Sequence, residues 1–294
     1  RHATRRRNSH FMCGLAGIIH RGKSSNVGRE MTSMLQALRH RGPDSTGFAV
    51  YGGSKPGDIL MRIKVAERED MDKGRGILKR IKERIAGVDE ILHEHGATIK
   101  ESESSTPYAL RYVINHDGNT EEMAQHLEEI EGVEILSLGR GLELVKDLGD
   151  ATAVSDAYGL DSFKGTHAIG HARMATESDV DIRSAHPYWA FPYNDVSVVH
   201  NGQITNYWTM RREMERSGHR FTSDCDSELL AVFTAHNLAH GISLDESLRR
   251  SVQEIDGVFT YLVATENQLG MAKDAMAAKP LVLYESDALI VMAS

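Results

Sequence analysis

Cysteine is scarce in this chain. Cys13 and Cys225 are the two thiols among 294 residues, and they form no CxxC pair. That excludes a disulfide framework and a zinc ribbon, and it points to a reducing, cytoplasmic compartment in which a reactive thiol survives. Long hydrophobic runs are also missing: the longest, such as 288–293, are far too short to span a bilayer. Positive charge is in deficit, with 34 Lys and Arg against 42 Asp and Glu, and no large basic block lies in the body of the chain. Phosphate binding needs clustered Lys and Arg, so nucleic acid is not the main partner. What is present is ordinary for a folded protein, with 40% hydrophobic and 26% charged residues. The length suits one large domain, or one domain carrying an insert.

The first eleven residues, RHATRRRNSHF, differ in composition from the rest of the chain. No apolar segment adjoins them, and they are too short for a transit peptide. A vector remnant, a stretch upstream of the true start or a short propeptide explains them better than a basic targeting or nucleic-acid tail. Residues 1–12 are therefore read as an extension, and 13–294 as the domain. The stop at Ser294, directly after an apolar strand pattern, reads as a C-terminal truncation.

Hydrophobic periodicity divides the rest. Residues 14–19 form an apolar run between glycines and read as a buried strand, followed by a helix over 29–38 and a turn-rich loop, RHRGPDSTG, at 39–47. Residues 46–51 and 59–63 read as two strands joined by a GGSKPGD turn. Composition then shifts to Lys, Arg and Glu over 64–105, where Ile77, Leu78, Ile81, Ile85, Val88, Ile91 and Leu92 mark one face of a helix. A strand at 110–115, a helix at 120–130 and a strand at 133–138 come next. This α-β-α-β block, about 66–150, reads as an insert with its own small sheet. Its Gly139-Arg140-Gly141 reads as a tight strand-to-helix turn rather than a phosphate cradle. Later strands fall at 166–172, 196–200, 258–265, 269–273, 281–284 and 288–293. Helices fall at 204–217, 227–239 and 244–255, the last opened by Ser243 with Glu246 three residues on. Paired strands with helices between some of them indicate an α+β layered sandwich, not a parallel sheet.

Cys13 follows Met12 and precedes Gly14. If processing exposes it, its α-amine, with an ordinary pKa of about 7.7–8.0, is a base at neutral pH. The same residue then carries the thiol nucleophile, whose ordinary pKa is about 8.5. Met-Cys-Gly alone is as readily a buried small residue. Seven further segments stand with CGLAGI, in order: RHRGPDSTG, GHARMAT at 170–176, AHP at 185–187, VHNGQITN at 199–206, SDCDSE at 223–228, DGVF at 256–259 and KDAMAAKPL at 273–281. In kind and order they resemble the glutaminase domain of class II glutamine amidotransferases, the N-terminal nucleophile hydrolases found in glutamine phosphoribosylpyrophosphate amidotransferase, glucosamine-6-phosphate synthase, asparagine synthetase and glutamate synthase. RGPDSTG, Met174 and LGRGLELVKDLG most resemble the stand-alone amidotransferase subunits of split glutamate synthases and N-methylglutamate synthase.

The resemblance implies a four-layer αββα sandwich with a small α/β insert, and a role for each motif. Cys13 would be the nucleophile, with the Asn201 side-chain amide and the Gly202 N–H forming an oxyanion hole. Arg173 would grip the glutamine carboxylate through its guanidinium fork, and Asp226 would pair with the α-ammonium. Thr176 and His186 would line the pocket, and Arg41 and Gly42 would buttress the nucleophile. Plainer readings exist: Arg173 as a structural ion pair, Asp226 as a helix N-cap, Asn201-Gly202 as a turn after a strand, and Cys225 as a packed small residue. His171, His186, His200 and His219 match no metal-ligand spacing. Met174 and Glu177 stand where sugar and nucleotide relatives carry Trp and His, and Ala275 and Ala277 replace the Pro and Gly of phosphoribosyl relatives.

Neither an SGG-x-D-S pyrophosphatase loop nor a phosphoribosyl-binding motif is found in the sequence. The resemblance therefore implies hydrolysis of glutamine to glutamate and ammonia through a thioester, with ammonia passed to a separate synthase subunit. No cofactor is expected in this chain, with FMN or an iron-sulfur cluster belonging to the partner. Two alternatives stay open: a catalytically silent binding or regulatory module, and an amide hydrolase of the same fold acting on another substrate.

Overall fold

The computed structural model describes residues 13–42, 44–52, 54–174, 182, 185–191 and 195–294. Along them run β1 (Gly14–His20), α1 (Val27–Ala37), β2 (Ser45–Tyr51), β3 (Asp58–Lys64), α2 (Arg75–Glu94), β4 (Thr98–Thr106) and β5 (Ala109–Asn115). Next come α3 (Thr120–Glu128), β6 (Glu134–Gly139), β7 (Leu142–Leu148), α4 (Ala151–Tyr158), β8 (His167–Arg173), β9 (Tyr188–Trp189) and β10 (Ser197–Ile204). The remainder is α5 (Tyr207–Arg216), α6 (Asp226–Ala239), α7 (Leu244–Glu254), β11 (Gly257–Ala264), β12 (Leu269–Lys273), β13 (Val282–Glu285) and β14 (Leu289–Ala293).

Two antiparallel sheets stack face to face. One has the order β13-β14-β1-β8-β2-β7, the other β12-β11-β10-β9. Alternation along β8 sets which side chains meet which layer. On one face Gly170 lies under α1, where an added Cβ would fall 2.6 Å from Leu35 Cδ1 and 3.1 Å from Met31 Sδ. On the other, His167 reaches across to the second sheet, its Nε2 2.7 Å from Thr265 O. Gly17 in β1 does the same by absence: a Cβ there would sit 2.8 Å from Leu262 Cδ1 of β11. With α1 and α4 outside the first sheet and α5, α6 and α7 outside the second, the architecture is the expected αββα sandwich.

A third sheet, β4-β5-β3-β6, carries α2 and α3. Its membership differs in detail from the block expected at 66–150. It begins one element earlier, at β3, while β7, within that span, pairs with β2 in the large sheet. β2 and β3 are consecutive but do not pair with each other, so the GGSKPGD segment hands the chain from one sheet to another. The junction is ionic. Arg62 (β3) and Arg111 (β5) both bond the buried Glu143 of β7, at 2.7–3.0 Å. Burial pushes the Glu143 carboxyl up, but the two guanidiniums outweigh it and hold it below the usual glutamate range.

Gly139-Arg140-Gly141 leads into a strand, not the expected helix. The amides of Arg140, Gly141 and Leu142 do cradle an anion: the Asp195 carboxylate of this same chain, at 3.0, 2.9 and 2.7 Å.

Candidate active site

Cys13 lies at the threshold of β1, half-buried, with a free thiol. Gly14 pairs with Ala172, so the same antiparallel register, continued by one residue, sets Cys13 opposite Arg173. Ser294 fixes this end of β1: Leu15 N donates to Ser294 Oγ and Ser294 N to Leu15 O, both at 3.0 Å.

Asn201 reaches the same point from the second sheet. Its side-chain Nδ2 donates to Cys13 O at 2.8 Å and lies 3.4 Å from Ser294 Oγ, while Oδ1 is 3.0 Å from His171 Nε2. Asn201 and Gly202 are not a turn after a strand. They lie inside β10, paired with Thr260 and Phe259 of β11. Gly202 holds φ +147°, and a Cβ there would lie 2.0 Å from Val258 O, so the position admits only glycine without displacement.

Arg173 ends β8, half-buried. The RGPD loop is pressed against it: Asp44 N donates to Arg173 O at 3.1 Å, and a Cβ on Gly42 would meet Arg173 C at 2.4 Å and Ala172 O at 2.5 Å. Arg41 closes the short helical turn before Gly42, and its Nη1 is buried with no hydrogen-bond partner among the described residues.

Asp226 is the first residue of α6, but it does not cap the helix. The N-cap is Cys225, and Asp226 Oδ2 accepts from Ile204 N at 2.8 Å, tying the end of β10 to the positive end of α6. The other oxygen lies 3.9 Å from His200 Nδ1 and 3.3 Å from Ser227 Oγ. Cys225 is half-buried, and desolvation raises its thiol pKa, which suits a packed residue rather than a nucleophile. Sequence reasoning missed the anchor of this loop. Glu228 is fully buried and accepts from the amides and hydroxyls of both Thr222 and Ser223 at 2.6–2.9 Å. The available signal was a Glu two residues after Asp226, directly before the apolar run 229–233 of the helix.

Three histidines pack between the sheets here. The His171 and His186 rings are 4.2 Å apart, and those of His186 and His200 6.3 Å. Burial pushes His171 down to about 4, His200 to about 4 against the opposing pull of Asp226, and His186 well below its ordinary value. All three are therefore neutral at pH 7. Among the described residues no three His, Cys, Asp or Glu side chains converge as metal ligands. Thr176 lies outside the described residues. Cys13, Asn201, Gly202, Arg173, Gly42, His186 and Asp226 thus gather at one end of the two sheets.

Comparison with known proteins gives this arrangement its family. Residues 171–294 match a glutamine amidotransferase domain model. Over 286 residues the chain is 40% identical to a putative glutamine amidotransferase of Methanothermobacter thermautotrophicus, covering 96% of this chain and 91% of that protein. The chain belongs to the glutamine amidotransferase family. A glutamine amidotransferase-like protein of Rhizobium meliloti is 30% identical over 285 residues, spanning 96% and 89% of the two chains. Among solved structures, the glutamine phosphoribosylpyrophosphate amidotransferase of B. subtilis superposes with a TM-score of 0.56 at 18% identity, which supports the fold. The match takes in 96% of this chain but 41% of that one. No helix among the described residues is long and apolar enough to cross a membrane.

Proposed function

We propose that this chain hydrolyses glutamine to glutamate and ammonia, with Cys13 as nucleophile and its own α-amine as base once Cys13 is the first residue. The observation that carries the reading is the 2.8 Å contact between the Asn201 side-chain amide and Cys13 across the two sheets. In this scheme the α-amine takes the thiol proton and the thiolate attacks the side-chain amide carbon. The oxyanion forms against Asn201 and Gly202, and collapse of the adduct expels ammonia, which carries away the proton held by the amine. Water then hydrolyses the γ-glutamyl thioester, giving glutamate and restoring the thiol. Arg173 and Asp226 receive the carboxylate and ammonium of the substrate, with Arg41 and Gly42 buttressing the nucleophile and with Thr176 and His186 lining the pocket. A clamp of opposite charges selects an α-amino acid, which favours glutamine over amides lacking that end.

Ammonia in neutral water is mostly protonated, so the product serves only if handed on within an assembly. The proposed acceptor is a synthase subunit of the glutamate synthase or N-methylglutamate synthase type, carrying its own FMN or iron-sulfur centre. The third sheet with α2 is the proposed docking face. Reversal of the exposed charges of α2, Lys79 and Lys82 among them, that left synthase binding intact would refute that part. The glutaminase reading is tested by glutamate release. The wild-type chain should turn over glutamine and Cys13→Ala should not; activity retained in Cys13→Ala would sink it. The catalytically silent reading is favoured only if residues 1–12 stay attached, which keeps the Cys13 nitrogen in a peptide bond and leaves no α-amine.

A further inference from the structure

We propose that His171 is a positioning residue that fixes the orientation of the Asn201 amide, and so decides whether Asn201 offers a donor or an acceptor to the developing oxyanion. This rests on the glutaminase reading above. An asparagine amide fits its site equally well by shape in either orientation, so its partners decide. On one side stands Cys13 O, which can only accept, 2.8 Å from Nδ2. The amide oxygen must then face His171, whose Nε2 is 3.0 Å from Oδ1. That contact requires a proton on Nε2.

The surroundings support that tautomer. His171 is buried, with the imidazoles of His186 and His200 and the Arg173 guanidinium as the titratable or charged groups around it. None of these favours a charged ring, and burial holds His171 down to about 4, so it carries one ring proton at neutral pH. His171 Nδ1 makes no hydrogen bond among the described residues, although the His200 backbone lies near the ring and pulls its pKa up against burial, so the tautomer with the proton on Nε2 is the one already paired. With the proton on Nδ1 instead, bare Nε2 would attract the NH₂ end of Asn201. The flipped amide would then turn its oxygen toward Cys13 O and toward the oxyanion, repelling both. His171 thus touches no reacting atom, but its tautomer sets the sign of the dipole that does.

Two measurements test this. The first is a long-range ¹H–¹⁵N NMR correlation of the His171 ring in the unliganded wild-type chain. The expected pattern is that of a neutral Nε2–H tautomer, unchanged between pH 8 and about pH 5.5. An Nδ1–H tautomer, or protonation near the ordinary histidine value, overturns the proposal. The second is a rate series. Gln places an N–H donor where Nε2–H lies, Asn where Nδ1 lies, and Phe provides neither. His171→Phe and His171→Asn should lower kcat by about 10²-fold or more, the size of a lost oxyanion donor, with KM within about threefold. His171→Gln should recover most of that loss. Equal rates for the Gln and Phe variants, or a loss confined to KM, contradict the positioning role. The NMR result needs no turnover, so an inactive wild type counts against the glutaminase reading alone, while an active wild type with an unaffected His171→Phe counts against this proposal alone.

Discussion

At the scale of single residues, the site is held by close approach as much as by hydrogen bonds. Gly202 shows this most sharply, since its φ of +147° and the 2.0 Å distance from a built Cβ to Val258 O are both incompatible with a side chain. Gly202→Ala should therefore lower the unfolding free energy by roughly 2 kcal/mol or more, seen as a lower urea midpoint with an unchanged slope. A midpoint equal to wild type would mean that the β10–β11 ladder yields at no cost. Asn201, Gly202, Arg173 and Asp226 could be proposed from the sequence because each sits in a motif of recognisable kind. His171 and Glu228 sit in the same motifs, GHAR and SDCDSE, yet their roles were not legible. They act on neighbouring residues, His171 on Asn201 and Glu228 on Thr222 and Ser223. Such partnerships depend on which strand lies beside which, and a linear pattern does not carry that.

At the scale of elements, apolar patterning found what is buried and missed what is exposed. β1, β8 and β11 and the first half of β10 are buried and read as short apolar runs, α5 and α7 carry distinct apolar faces, and α6 is apolar on most sides, so all were expected. β4 is hidden within a charged helical stretch because TIKESESST is almost wholly exposed at a sheet edge, leaving no alternation to read. β7 is hidden because the Gly-Arg-Gly turn before it resembles a helix entry. The anion that completes that turn, Asp195, comes from more than fifty residues downstream. The junction of the third sheet with the sandwich supplies the prediction at this scale. Side chains of Arg62 and Glu143 are 8% and 3% exposed. Glu143→Gln would leave two guanidiniums facing a neutral amide in low dielectric. It should destabilise the protein by about 3–5 kcal/mol by chemical denaturation, and a loss below about 1 kcal/mol would mean that water reaches the pair.

At the scale of the whole molecule, one apolar core runs from the sandwich into the third sheet, joining Leu15, Phe48 and Leu262 with Ile63, Ile81 and Leu92. Whatever disturbs the centre should therefore be felt globally, and acid is the simplest such disturbance. Between pH 6.5 and about 4, buried neutral His171 and His200 bind fewer protons folded than unfolded. Stability then rises with pH across that window and is lost as pH falls through it. Below about pH 4.3 the depressed Glu143 adds a second loss, since its contribution is present above the ordinary glutamate pKa and disappears as the pH drops. The urea midpoint should be level above about pH 7 and fall steadily by pH 5, with a shallower fall in His186→Gln. Equal midpoints at pH 5 and 7.5 would show that the three rings are hydrated.

The central claim is that Cys13, as a free N-terminal nucleophile, attacks glutamine. Intact mass before and after 6-diazo-5-oxo-norleucine, a glutamine-analogue affinity label, tests it most directly. The account predicts a chain beginning at Cys13 that gains one label, and no label in Cys13→Ala. A chain that keeps residues 1–12 and takes no label, or one labelled equally well in Cys13→Ala, would contradict it.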